Sequence, residues 1–171
     1  SGVDKDCIFF VGNTMIDTLL SNIKNFKRPK ICNILNLKNK KYIIITLHRP
    51  ANVDEEIKLK NLLLEILNNI NDFDLIFPMH PRTKKIYEKL NLSNSKLHII
   101  EPLSYLEFNF LVKNSLAVIT DSGGITEETT VMNIPCITLR DNTERPETIT
   151  EGTNELIGTD PKAISPILKK L

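Results

Sequence analysis

The sequence predicts an α/β domain built on a parallel sheet with helices on both faces. Three observations carry that reading. Short apolar runs alternate with segments of helical spacing along almost the whole chain, the pattern of repeated βαβ units. The runs are continuous and rich in β-branched residues rather than alternating, as strands buried on both faces are. Polar or glycine-bearing dipeptides follow the runs repeatedly: Gly12-Asn13, His48-Arg49, His80-Pro81, Pro102-Leu103, Asp121-Ser122 and Arg140. Right-handed crossovers place all strand C-termini on one edge, where open α/β sheets bind ligands.

Taken in order, Cys7 to Val11 (CIFFV) is read as a first buried strand, turned by Gly12-Asn13-Thr14 into a helix carrying Met15, Ile16, Leu19 and Leu20. Asn22 to Lys40 is polar and predicts a connection with a weak helix. Tyr42 to Leu47 (YIIITL) is the clearest strand, ending in His48-Arg49-Pro50. A helix from Asp54 to about Asn69 follows, with Leu59, Leu62, Leu63, Ile66 and Ile70 as its apolar stripe. Asp74 to Met79 is the next strand, ending in His80-Pro81-Arg82, and a basic helix spans Thr83 to Leu90. Leu97 to Ile100 is a strand, and Ser104 to about Lys113 a helix. Leu116 to Thr120 forms the strand before Asp121-Ser122-Gly123-Gly124, with helical spacing from Ile125 to Met132. Cys136 to Leu139 and Asn154 to Ile157 are the last strands, separated by the charged loop Arg140 to Glu147, whose charge density is hard to bury. Asp160 then caps a final helix with Pro161 at its first position.

At 171 residues the chain fits one domain with a substantial core. A net charge of +1 offers no field for nucleic acid, and the lack of Trp removes the best stacking platform for bases. No apolar run approaches the ~20 residues of a membrane helix, so no membrane partner is expected. Cys7, Cys32 and Cys136 are widely spaced. Cys7 and Cys136 read as small core residues, and an odd count without a framework fits a reducing cytoplasm. The histidines show no metal-ligand spacing, so neither a metal nor a cofactor is expected. The chain opens on Ser1-Gly2-Val3 without Met, and its last helix lacks a terminating signal. Both ends are read as cuts in a longer protein.

The chemistry concentrates at Asp121-Ser122-Gly123-Gly124. A strand that turns through Ser-Gly-Gly into a helix aims free N–H groups, a hydroxyl and the positive helix end at one point. Either this is a tight βα turn with Ser122 as N-cap, or it binds an anion. Glu127 and Glu128, one turn on, would repel a phosphate itself, so at least one is expected to serve the sugar hydroxyls beside it. His48, directly after a buried strand, is a candidate acid/base or phosphate donor. Arg49 beside it is suited to a phosphate or a carboxylate. His80 is open between a structural role and ligand contact, whereas His98, inside a strand, reads as structural. Ser122 lacks a GxSxG context for a nucleophile, and the glycines match neither GxGxxG nor GxxxxGK[ST].

Seven segments together carry a resemblance: GNTMIDTLL at Gly12, TLHRPANVD at Thr46, PMHPRT at Pro78, EPLSYLEF at Glu101, TDSGGITEE at Thr120, RDNTERPET at Arg140 and GTNELIGTD at Gly152. In this order, over nearly the whole chain, they resemble the C-terminal half of the UDP-N-acetylglucosamine 2-epimerase family. The resemblance implies a GT-B enzyme whose C-terminal, Rossmann-like domain (residues 1–171 here) holds UDP. It implies Ser122 and Gly123 at the UDP phosphates, Glu128 on the ribose hydroxyls, and Leu103 and Phe108 along the uracil. His48 would be catalytic, assisting departure of UDP, and Arg145 would lie at the cleft. Arg49 and His80 would help hold a second, regulatory substrate molecule.

Two departures stand out. Pro50-Ala51-Asn52 follows His48-Arg49 where well-known bacterial members have Arg-Glu-Asn, which bears on the regulatory site. Thr126 replaces the usual Gln, a change of local packing. The family's mechanism eliminates UDP to a 2-acetamidoglucal and re-adds it on the other face, with C2 carboxylates supplied by an N-terminal domain. This segment alone is therefore expected to be inactive, to bind UDP weakly, and to belong to a cytoplasmic homodimer when full length. The rival readings are a hydrolysing relative that releases ManNAc and UDP, and a non-catalytic nucleotide-sugar-binding module. Related diacetamido-sugar epimerases share these motifs, so the sugar stays open.

Overall fold

Six of the predicted apolar runs, beginning at Tyr42, become strands of one sheet. The computed structural model describes residues 2–171; Ser1, at which the sequence opens without Met, lies outside them. Helix α1 (Thr14–Asn22) and the single turn α2 (Ile31–Ile34) lead into β1 (Tyr42–Thr46). Then come α3 (Pro50–Val53), α4 (Glu56–Asn69), β2 (Asp74–Pro78), α5 (Pro81–Tyr87) and β3 (Leu97–Ile100). The chain continues through α6 (Tyr105–Asn114), β4 (Ala117–Thr120), α7 (Gly123–Val131), β5 (Cys136–Thr138), α8 (Glu147–Thr150), β6 (Asn154–Leu156) and α9 (Ser165–Leu168).

All neighbouring strands pair in parallel, in the order β3-β2-β1-β4-β5-β6. Alternate residues of the central strands supply two separate cores. Ile43, Ile45, Leu75, Phe77 and Ile119 pack on one face with the α4 stripe (Leu59, Leu62, Leu63, Ile66), Ile164 and Leu168. Tyr42, Ile44, Ile76 and Val118 pack on the other with Leu111 and Val112 of α6, Cys32 and Ile134. This is why the strands read as unbroken apolar runs: both side-chain directions are inside, and each fully buried Ile or Leu contributes roughly 2 kcal/mol. The strand order reverses direction between β1 and β4, so their C-terminal ends form the sheet's switch point. His48 follows one of these strands and Asp121 the other.

Four expectations are corrected. Ile8 to Val11 joins no strand, and its side chains lie open: Phe9 is 77% and Phe10 99% exposed. Cys7 sits in a 3₁₀ turn at the surface, not in the core. An apolar run reads as a strand whatever its partner, and none of the six strands takes this segment as a neighbour. The charged loop after β5 also departs from expectation, because Arg140 at its head is buried. Its guanidinium is paired with Glu144 four residues on, through contacts of 2.8 and 2.7 Å. The connection with a weak helix expected between Asn22 and Lys40 is present, as a 3₁₀ turn and α2. The predicted Asp160 cap is present, accepting from the Lys162 N–H, but it opens a 3₁₀ turn rather than a full helix.

Candidate functional site

At the switch point, α7 begins with Ser122 as its N-cap residue, yet the Ser122 side chain makes no capping hydrogen bond. The Ser122 N–H is spent on the Thr120 hydroxyl at 3.0 Å. The first-turn N–H groups of Gly123, Gly124 and Ile125 have no intrahelical acceptor by the geometry of a helix start. The tight-turn reading therefore accounts for the backbone path and leaves the hydroxyl and these donors unspent. Gly123 admits a close approach: an added Cβ would sit 3.4 Å from Glu144 Oε2 and 3.6 Å from an Arg140 nitrogen. A pocket of about 190 Å³ lies over this start, lined by Met15, Gly123, Gly124, Glu127, Glu144 and Arg145. The Arg140 guanidinium beside Glu144 holds that carboxyl well below the usual range, down to about 2.

α7 is unusual in burying polar groups: Thr126, Glu127, Glu128 and Thr129 are all inside. The threonines return their hydroxyls to the helix itself, Thr126 to the Gly123 carbonyl at 2.6 Å and Thr129 to Ile125 at 2.8 Å. The two glutamates diverge. Glu127, 5% exposed, accepts from Asn13 Nδ2 at 2.6 Å and pairs with Arg145 Nε at 2.8 Å. Asn13 at the same time caps α1 by accepting from the N–H groups of Met15 and Ile16. The Gly12-Asn13-Thr14 turn thus follows no strand but is still tied to the site, with Glu127 as the brace between α1, α7 and the Arg145 loop.

Glu128 faces a different opening of about 210 Å³, lined by Thr14, Met15, Thr18, Tyr105 and Glu128. Its Oε1 accepts from the Tyr105 hydroxyl at 3.0 Å. Burial pushes the Glu128 carboxyl up from the ordinary carboxylate value, opposed by the hydrogen bond from Tyr105 and reinforced by Glu127. Burial and the nearby carboxylate in turn push Tyr105 up to about 12. Glu128 lies five residues beyond Gly123, about 7.5 Å along the helix axis, with Met15 lining both openings. The two openings adjoin at Met15 and make up a two-part groove beside α7.

On the β1 side, Asp121 is fully buried. Its carboxylate is 2.8 Å from His48 Nδ1, and it accepts from the N–H of His48 (3.2 and 3.1 Å) and of Arg49 (2.9 Å). Asn52 Nδ2 adds a further bond at 3.1 Å. Arg49 Nε reaches the Asp121 carbonyl at 3.0 Å. His48 itself stays 58% exposed at the side chain. His80 caps α5 by accepting from the Arg82 N–H, and His98 contacts Asp74 at 2.8 Å. Leu103 and Phe108 are half-buried against the second core. Arg145 is at the groove, His48 and Arg49 are beside the turn, and His80 stands apart on α5. Glu127 was expected only as an alternative to Glu128 for the sugar hydroxyls, and Asp121 was given no role of its own, although both lie within TDSGGITEE; the strand order that brings Asp121 to His48 is not written in any local pattern. A separate cavity of about 350 Å³, lined by Asn61, Leu64, Glu65, Asp160, Pro161 and Lys162, contains none of the expected site residues.

The profile of the UDP-N-acetylglucosamine 2-epimerase family matches residues 1–171. The UDP-N-acetylglucosamine 2-epimerase of Methanocaldococcus jannaschii is 43% identical over 185 aligned residues, spanning 99% of this chain and 50% of the relative. Its crystal structure in complex with UDP-GlcNAc and UDP superposes with a TM-score of 0.84. The Neisseria meningitidis UDP-GlcNAc 2-epimerase bound to UDP-GlcNAc gives 0.83 at 32% identity, covering 98% of this chain and 48% of that one. A UDP-2,3-diacetamido-2,3-dideoxy-D-glucuronate 2-epimerase from Pseudomonas aeruginosa is 40% identical over 68% of this chain and 33% of its own length. The chain spans about half the length of these relatives or less. With profile, sequence and six-stranded fold in agreement, the chain belongs to the UDP-N-acetylglucosamine 2-epimerase family.

Proposed function

We propose that these residues form the UDP-holding half of an enzyme that interconverts UDP-GlcNAc and UDP-ManNAc by eliminating and re-adding UDP. One observation carries this most directly: the open N-terminus of α7 and the buried carboxylate of Glu128 line two openings that share Met15. The diphosphate takes the N–H groups at Gly123 and the Ser122 hydroxyl, where the helix dipole favours negative charge. The ribose hydroxyls donate to Glu128. Glu127 is the weaker candidate for that role, since Asn13 and Arg145 both engage its Oε1. Leu103 and Phe108 flank the uracil, and Arg145 closes the groove at the sugar end.

In the elimination the C1–O bond breaks, UDP leaves with that electron pair, and C2 loses its proton to give the 2-acetamidoglucal. His48, held beside the turn by Asp121, is assigned to the departing phosphate, which it assists by hydrogen bonding or proton donation. The family resemblance implies that the carboxylates acting at C2 belong to an N-terminal domain, so the C2 base is assigned outside these 171 residues. This segment alone therefore binds UDP and does not turn over. With a nucleotide sugar as its substrate, the enzyme works in the cytoplasm, as a homodimer, without metal or cofactor. Arg49 and His80 are candidates for a regulatory substrate site.

Incubating the full-length enzyme with UDP-GlcNAc tests the reading. Reversible formation of UDP-ManNAc supports it. Free ManNAc with UDP points instead to a hydrolysing relative, and UDP binding without turnover to a binding module. The Pseudomonas relative keeps a second sugar class in view, and a parallel incubation with a diacetamido UDP-sugar decides between them.

A further inference from the structure

We propose that Asp121 is a positioning residue for His48, locking the ring so that Nε2 is the only nitrogen offered to the ligand. The inference rests on the proposed UDP reading for what Nε2 meets, and on geometry alone for the lock itself. Asp121 is 0% exposed and its side chain receives three donors, the backbone N–H groups of His48 and Arg49 and the Asn52 amide, while the His48 ring lies against it at ion-pair distance. A carboxylate surrounded in this way only accepts. Nδ1 of His48, 2.8 Å from Oδ1, must therefore carry its hydrogen toward Asp121. The ring's other nitrogen is then a bare acceptor in the neutral form and a single outward donor in the charged form. Either way, one nitrogen is fixed inward and one outward.

The arrangement does more than orient a ring. Asp121 immediately precedes Ser122 and Gly123, the residues assigned to the diphosphate, and its own carbonyl takes Arg49 Nε. The turn that offers phosphate donors and the strand end that carries His48 are thereby held as one unit across the β1/β4 junction. Thr46 and Thr120, the last residues of the two strands, add a hydroxyl contact of 2.8 Å at the same level. Movement of the turn would carry the imidazole with it. The buried carboxylate also faces the charged form of the ring, which becomes the better donor to a departing phosphate. A histidine merely resting on the surface would have none of these constraints, and in water the neutral side chain favours the opposite tautomer, with hydrogen on Nε2.

The test is the ring tautomer, read by long-range ¹H–¹⁵N correlation on the 171-residue chain at about pH 8.5, where an ordinary imidazole is neutral. His48→Gln assigns the His48 signals against those of His80 and His98. The wild type should show the Nδ1–H form in at least about tenfold excess, as a hydrogen bond to a charged acceptor gives. Asp121→Asn, which presents an amide to the ring, should abolish that excess or reverse it. A dominant Nε2–H form in the wild type overturns the proposal without recourse to any variant, and so does an unchanged tautomer in a folded Asp121→Asn. Added UDP should shift Nε2 and leave the protonation of Nδ1 as it was. If UDP shifts neither nitrogen, the UDP reading has failed while the tautomer still decides the role of Asp121.

Discussion

Replacing Glu127 by alanine should cost about 2 kcal/mol of stability, although the residue is assigned no contact with the ligand. The carboxylate is 5% exposed and receives Asn13 Nδ2 at 2.6 Å and Arg145 Nε at 2.8 Å. Hydrogen bonds to a charged group contribute about 1.5–3 kcal/mol each when buried. The Arg145 side chain is 45% exposed, so its share is discounted to about 1 kcal/mol for screening and return to water. The Asn13 bond is better shielded and keeps roughly 1.5 kcal/mol, reduced by the relief of no longer burying a carboxylate. Urea unfolding of the wild type, Glu127→Ala, Asn13→Ala and the double variant measures both the total and the Glu127–Asn13 coupling. The account expects coupling of about 1 kcal/mol and an unchanged m-value. A total loss below about 0.5 kcal/mol, the range of ordinary surface substitutions, would refute the brace.

Two further outcomes follow from single residues. Gly152→Ala should lower stability by about 1–3 kcal/mol, because the new Cβ would lie 2.4 Å from the Thr148 carbonyl oxygen and 2.6 Å from Thr130 Oγ1; a thermal melt that does not move contradicts that packing. UDP affinity should fall as the medium is acidified, starting above the usual carboxylate range, since burial raises Glu128 and its protonation removes the acceptor for the ribose. The sign for folding is the reverse. A carboxyl raised in the folded state stabilises the fold while protonated, and that contribution is lost as pH climbs from the unfolded value through the raised one. Calorimetric titration across pH should show the acid-side loss in wild type and not in Glu128→Gln; parallel curves would sink the assignment.

Much of the fold was legible because the sheet is parallel and covered on both sides. Tyr42 to Leu47 has no polar face to confuse the pattern, and each later strand begins within a residue of its apolar run. The same simplicity misled at Ile8 to Val11, where a run of the right composition has no neighbour in the sheet. A strand signal reports that a segment suits a buried sheet, not that a partner is present. The anion turn was legible from Ser122-Gly123-Gly124, since glycine and helix start are local features. The division of labour between Glu127 and Glu128 was not. Adjacent helical residues point about 100° apart, and the group that occupies Glu127 is Asn13, 114 positions away. Burial of Arg140 was hidden similarly: a charge-dense loop looks solvated until Glu144 folds back on the guanidinium.

The most direct test of the central claim is calorimetric titration of UDP into the wild-type chain, Ser122→Ala and Glu128→Ala. The account predicts measurable binding to the wild type. It predicts a loss of about tenfold for Glu128→Ala, from two ribose hydrogen bonds, and a smaller loss for Ser122→Ala, because the backbone donors at Gly123 remain. Unchanged affinity in both variants would place UDP somewhere other than the start of α7 and contradict the account.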